Sequence, residues 1–181
     1  MVIENISGNK TKNKFGVYPK IIYPICSIFH PMRDIDGLEL SPKKSEYLKY
    51  ILEKGGIVHT TDISQHFNLD PSTITKTIQE MSSTDLIEHI PYRGVQLTPR
   101  GREFAEFLVR RHRIIELMLS HYGLTAQEAC DGALKFEGLV SKDVVDKICN
   151  SLGHPNMGIC GRIKHDTCCC CPEDNQWGIT G

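Results

Sequence analysis

Three N-capping residues each followed by proline, Ser41-Pro42, Asp70-Pro71 and Thr98-Pro99, constrain this chain more than any other feature. A short oxygen-bearing side chain accepts the orphan N–H groups of a helix's first turn, and proline is preorganised for the first helical position. Each pair is followed by apolar residues at helical spacing. Tyr47, Leu48, Ile51 and Leu52 share one face of a first helix, which Gly55-Gly56 ends. Ile74, Ile78 and Met81 stand at i, i+4 and i+7 after Asp70 and face inward. A short helix capped by Thr61, carrying Ile63 and Phe67, precedes the turn Asn68-Leu69-Asp70. Thr98 opens a long helix that runs to about Ser120, with Gly123 marking its end.

Between the last two caps, Leu86-Ile87-Glu88-His89-Ile90 and Val95-Gln96-Leu97 flank Pro91-Tyr92-Arg93-Gly94, which predicts a β-hairpin. Beyond the long helix, Thr125-Ala126-Gln127-Glu128 has capping-box spacing and opens a helix to about Glu137. Ser141 caps another, with Val144, Val145, Ile148 and Leu152 inward and His154-Pro155 as its stop. The reading is a mainly α chain with a small β-hairpin: a winged helix-turn-helix followed by an α-helical domain. Residues 1–38 form an N-terminal extension, either an arm or a packed accessory strand built on Ile21–Phe29. The winged module spans 39–100, the helical domain 101–155, and a Cys-rich tail 156–181.

The winged module points to double-stranded DNA, since its third helix fits the major groove. The polar face of that helix carries Ser72, Thr73, Thr75, Lys76 and Gln79. Small hydroxyls allow close approach, the helix N-terminus offers N–H donors to phosphate, and Lys76 and Gln79 can reach base edges. Arg93 at the hairpin tip can touch a neighbouring phosphate. Net charge is −1, so the contact must come from one face rather than from bulk electrostatics. The alternative is an exposed helix face on a protein that does not bind DNA, a scaffold or metal buffer retaining the fold. There is no Gly-rich phosphate loop or nucleophile elbow to suggest an enzyme. No apolar run approaches the ~20 residues that span a bilayer, and no secretory signal is visible, so a cytoplasmic location is expected.

Four segments, taken in order, resemble the diphtheria-toxin-repressor family, which includes the manganese transport regulators. They are Leu40-Ser41-Pro42-Lys43 with Glu46-Tyr47-Leu48; Asp70 to Lys76; Pro91 to Thr98; and Arg111-His112-Arg113-Ile114-Ile115-Glu116. The resemblance covers residues 40–155. It implies a homodimer that dimerises through the helices after the wing and binds a palindromic operator when loaded with Fe²⁺ or Mn²⁺. It implies the two-domain type, without the SH3-like domain that some members carry.

His112 and Glu116, at i and i+4, lie on one face of the long helix and suit a divalent first-row ion. The resemblance assigns them, with Glu46 on the first helix and Glu137 after the next, to ligand positions. Other ligand positions differ: Leu134 and Gly138 replace coordinating residues, and Cys130 stands where iron-type members place a histidine. The set His112, Glu116 and Cys130 would make a softer site than Glu46, His112 and Glu137. Cys160, His165, Cys168, Cys169, Cys170 and Cys171 form a second candidate site in the tail, with His154 nearby. Thiolates there favour Zn²⁺ or an iron–sulfur cluster, and a reversible disulfide is the redox alternative.

Overall fold

A computed structural model describes residues 35–165. Six helices and two small sheets make up this part. Helices α1 (Pro42–Glu53), α2 (Thr60–Phe67) and α3 (Pro71–Ser82) are followed by strands β2 (Ile87–Ile90) and β3 (Gly94–Leu97). A two-residue strand β1 (Ile57–Val58), which no sequence signal announced, pairs antiparallel with β3, giving the order β1-β3-β2. The hairpin turn places Tyr92 at φ 65° and Gly94 at φ 96°. A side chain at Gly94 would meet the Val58 carbonyl, so glycine there lets β1 close the wing sheet.

The caps divide into those that act through their side chains and those that do not. Asp70 accepts from the Ser72 N–H at 2.8 Å, and Thr98 accepts from the Gly101 N–H at 2.9 Å. Thr125 and Glu128 form both halves of the capping box. Ser41 and Ser141 stand at N-cap positions without a side-chain cap bond. The expected cap Thr61 is instead inside α2, whose N-cap is His59. The helix starts two residues earlier because the preceding β1 already delivers the chain in extended conformation.

Helix α4 (Pro99–His121) is the spine. It packs against α1, against α5 (Ala126–Phe136) and against α6 (Lys142–Ser151). Gly101 sits so close to the Leu86 carbonyl that any side chain would collide with it, which seats the start of α4 on the wing. The core runs continuously through Tyr47, Leu48, Ile51, Ile63, Ile74, Ile78, Phe104, Leu108 and Val145. Val144, expected inward, is 44% exposed. The buried stripe of α6 is Val145 and Cys149, an i,i+4 pair in which the cysteine takes the core position.

Residues 35–40 are anchored in this unit rather than free of it. Ile35 is buried, the buried Arg111 guanidinium donates to the Gly37 carbonyl at 2.6 Å, and the Lys142 N–H donates to the Asp36 carbonyl. A second hairpin, β4 (Met157–Gly158) and β5 (Gly161–Arg162), lies on α4, so residues 156–165 continue the helical domain.

Candidate metal centre and DNA-binding face

The His112 ring divides two environments. On its Nδ1 side, the Glu137 carboxylate lies at 2.6 Å. Glu137 is buried, in the short 3-10 turn Glu137–Leu139 after α5. Its other oxygen receives Lys49 Nζ at 2.5 Å, and the same ammonium reaches Glu46 at 3.1 Å. Burial acts to raise the Glu137 carboxyl. The His112 hydrogen bond and the Lys49 charge outweigh it and hold the group below the ordinary carboxylate range.

On the Nε2 side, Cys130 Sγ and Glu116 Oε2 each lie 3.5 Å away. Cys160, at the turn of the β4–β5 hairpin, completes the group, its Sγ 3.6 Å from that of Cys130. The four ligand atoms lie within 4.8 Å of one another. Metal–ligand lengths of ~2.0–2.3 Å at tetrahedral angles give ligand–ligand edges of about 3.3–3.8 Å, a range that holds the separations of 3.5, 3.5 and 3.6 Å found here. Glu116 is wholly buried, and its Oε2 has no hydrogen-bond partner. An orphaned buried carboxylate oxygen costs free energy unless a cation or donor meets it. An Nδ1–H donated to Glu137 directs the Nε2 lone pair at the cluster, the usual carboxylate–histidine support of a metal ligand.

The hairpin delivers Cys160 through several contacts with α4. The Cys160 N–H donates to Glu116 Oε1 at 2.8 Å, Arg113 donates to the Arg162 carbonyl, and Lys164 pairs with Glu106 at 2.7 Å. Gly158 lies against Glu116 and Arg113, where a side chain would have to displace one of them. Burial, with Glu116 and Cys130 alongside, pushes the Cys160 thiol up to about 12. An open cleft lined by Glu46, Lys49, His66, His112, Leu134 and Cys160 leads to the group.

Several expectations are corrected here. Glu46 and Glu137 are bridged by Lys49, unnoticed in sequence because it reads as a surface i+3 partner of Glu46, and neither belongs to the group that gathers at His112 Nε2. Cys160 does not group with His165. It joins His112, Glu116 and Cys130, whereas His165 gathers with Cys149 and His154. The grouping follows from the β4–β5 hairpin, which sets Cys160 at its turn and carries the chain away along β5 before His165. Cys168, Cys169, Cys170 and Cys171 lie outside the described residues.

On α3, Ser72, Thr73, Thr75, Lys76 and Gln79 are all exposed, as is Arg93 at the wing tip. Tyr92 beside it is fully exposed, a tip residue that sequence reasoning passed over. The helix N-terminus does not offer open donors to phosphate. The Ser72 N–H is held by Asp70, the Thr73 N–H bonds the Asp70 carbonyl, and the Ser72 bonds hold the Asp70 carboxyl below its ordinary value. The resulting negative charge leaves phosphate contacts to side chains. Thr75 spends its hydroxyl proton on the Pro71 carbonyl.

Comparison with known proteins places both halves of the molecule. Residues 39–95 match the family described as "Iron dependent repressor, N-terminal DNA binding domain". Residues 98–164 match "Iron dependent repressor, metal binding and dimerisation domain", a span that takes in the β4–β5 hairpin and Cys160. The HTH-type transcriptional regulator MntR of Geobacillus kaustophilus is 28% identical over 111 residues, 60% of this chain and 79% of that protein. A hypothetical protein of Sulfolobus solfataricus has a similar structure, with TM-score 0.62 and 26% identity over 70% of this chain and all of that one. The structure of ScaR with bound Zn²⁺ follows at TM-score 0.61 and 28% identity, over 67% of this chain and 59% of that one. With both domain types present in order, the chain belongs to the iron-dependent repressor family of metal-dependent transcriptional regulators, the family of the diphtheria-toxin repressor and MntR.

Proposed function

We propose that this chain is a repressor that binds a palindromic operator as a homodimer and responds to a borderline-soft divalent ion, Fe²⁺ or Zn²⁺ in preference to Mn²⁺. One observation carries the reading: His112 Nε2, Glu116 Oε2, Cys130 Sγ and Cys160 Sγ gather within 4.8 Å of one another, with the His112–Glu116, His112–Cys130 and Cys130–Cys160 pairs at 3.5–3.6 Å. Two sulfurs, one nitrogen and one oxygen suit Zn²⁺ or Fe²⁺ better than the oxygen-preferring Mn²⁺. Bound there, the ion would supply the charge that two thiolates and Glu116 need, and would tie α4, α5 and the hairpin together. The protein's own residues carry the signal onward. His112 holds Glu137, Glu137 holds Lys49, and Lys49 lies on α1 of the DNA-binding module. A ring fixed at Nε2 thereby biases the angle between the two modules, the variable that sets whether two recognition helices match successive major grooves.

DNA contact is assigned to Ser72, Thr73, Thr75, Lys76, Gln79 and Arg93, with Tyr92 at the wing tip. Leu139 and Val144, 81% and 44% exposed, offer apolar surface for a second copy. A gel-shift with ion-loaded protein tests the DNA assignment. Lys76→Glu abolishes specific binding if it is right, and equal binding by Lys76→Glu and the parent would overturn it.

A further inference from the structure

We propose that Cys149, His154 and His165 form a second metal site, separate from the first, that takes a zinc-like ion on one sulfur and two nitrogens. The three come from different places: Cys149 from the last turn of α6, His154 from just beyond it, and His165 from beyond β5. Cys149 Sγ lies 3.6 Å from His154 Nδ1 and 3.7 Å from His165 Nδ1. A sulfur and a nitrogen sharing a tetrahedral zinc ion, at ~2.3 and ~2.0 Å from it, stand about 3.5 Å apart. All three ligand atoms lie within 4.8 Å of one another.

Two further observations point the same way. His165 Nε2 is 3.0 Å from the Pro155 carbonyl, an acceptor that fixes the proton on Nε2 and turns the Nδ1 lone pair toward Cys149. His154 adopts φ 56°, following Gly153 at φ 75°. A histidine in the left-handed region costs free energy that an ordinary helix end avoids by using glycine. Here that conformation brings the imidazole back over Cys149, with the His154 N–H on the Cys149 carbonyl.

An ion at this position ties both ends of the 154–165 segment to α6. That segment carries Cys160, so the second site would hold a ligand of the first in place. The proposal does not rest on the first site being occupied, since the two share no residue.

The test uses full-length, reduced, chelator-stripped protein carrying Cys130→Ser and Cys160→Ser, titrated with Co²⁺ and then Zn²⁺. One equivalent of Co²⁺ should bind with tetrahedral ligand-field bands and the charge-transfer intensity of a single thiolate, and Zn²⁺ should displace it. His154→Asn or His165→Asn should weaken binding roughly 100-fold or more, beyond the ~10–100-fold typical of losing an outer-shell partner. Cys149→Ala should remove the charge-transfer band. Because Cys149 is fully buried, the two partly exposed histidines provide variants that spare the core. Unchanged binding in both histidine variants would overturn the proposal. So would a multi-thiolate band that survives Cys149→Ala, which would assign the ion to the Cys168–Cys171 run.

Discussion

The two sides of the His112 ring hold the same problem solved in two ways. On the Nδ1 side, two carboxylates from different modules converge, and the protein's own Lys49 neutralises them. On the Nε2 side, one buried carboxylate and two thiols converge, and Glu116 Oε2 lacks a hydrogen-bond partner. A lysine is a fixed charge that makes its junction permanent. A cluster of sulfur, oxygen and nitrogen donors is neutralised only when an ion arrives. On the proposed reading, the protein's own Lys49 charge holds the junction between α1 and the Glu137 turn together, and the ion-responsive donors lie on the hairpin face of α4, joined to that junction through the His112 ring.

The largest effect should come from removing the sulfur donors. Cys130→Ser with Cys160→Ser should lower affinity for Zn²⁺ or Fe²⁺ by about 100-fold or more, losing two soft ligands where one outer-shell partner alone costs ~10–100-fold. Calorimetric titration of the chelator-stripped protein checks this, with operator affinity in excess ion falling in parallel. Next comes Lys49→Ala, which strands the buried Glu137. Stranding a fully buried partner costs ~3–5 kcal/mol. Lys49 is partly exposed and His112 still holds Glu137, so about 2 kcal/mol is expected in denaturant unfolding. Adding Glu137→Gln should recover most of that loss, which a purely packing role for Lys49 would not allow.

Glu137→Gln alone should weaken ion binding by about 10-fold, at the low end for an outer-shell carboxylate on a ligating histidine. Its effect on the Nε2 side then measures how far the two faces of the ring are coupled. The smallest effect concerns Asp70, at the start of the recognition helix and away from both faces. Its carboxyl is held below the ordinary value, so its contribution is complete above the unfolded value of ~3.9 and is lost as pH falls through the lower folded value. Asp70→Asn keeps the cap acceptor and should remove that acid-side loss of thermal stability. Melting curves taken from pH 6 down to pH 3 check it.

The helices, the wing hairpin and the polar face of α3 were legible in sequence because caps, proline and periodicity are local signals. Strand β1 was not, since two residues after Gly55-Gly56 carry no alternation to read. Val144 was misplaced because Val144 and Ile148 have the same spacing as Val145 and Cys149, and spacing alone does not choose between the two stripes. His112, Glu116 and Cys130 were recognisable as donors from the family pattern and the residue types. Cys160 was recognised as a donor but assigned to the wrong partners. Its place depends on strands of two residues each, on Gly158 admitting the hairpin to α4, and on a backbone bond to Glu116 spanning 44 residues. Lys49 was hidden because nothing in a first-helix lysine announces a partner 88 residues away.

The measurement that bears most directly on this division is a crystal structure of the ion-loaded protein with anomalous scattering collected at the metal edge. The expected peak is bounded by His112 Nε2, Glu116, Cys130 and Cys160, with Lys49 still bridging Glu46 and Glu137. A peak on the Nδ1 side, between Glu46 and Glu137 with Lys49 displaced, would contradict it.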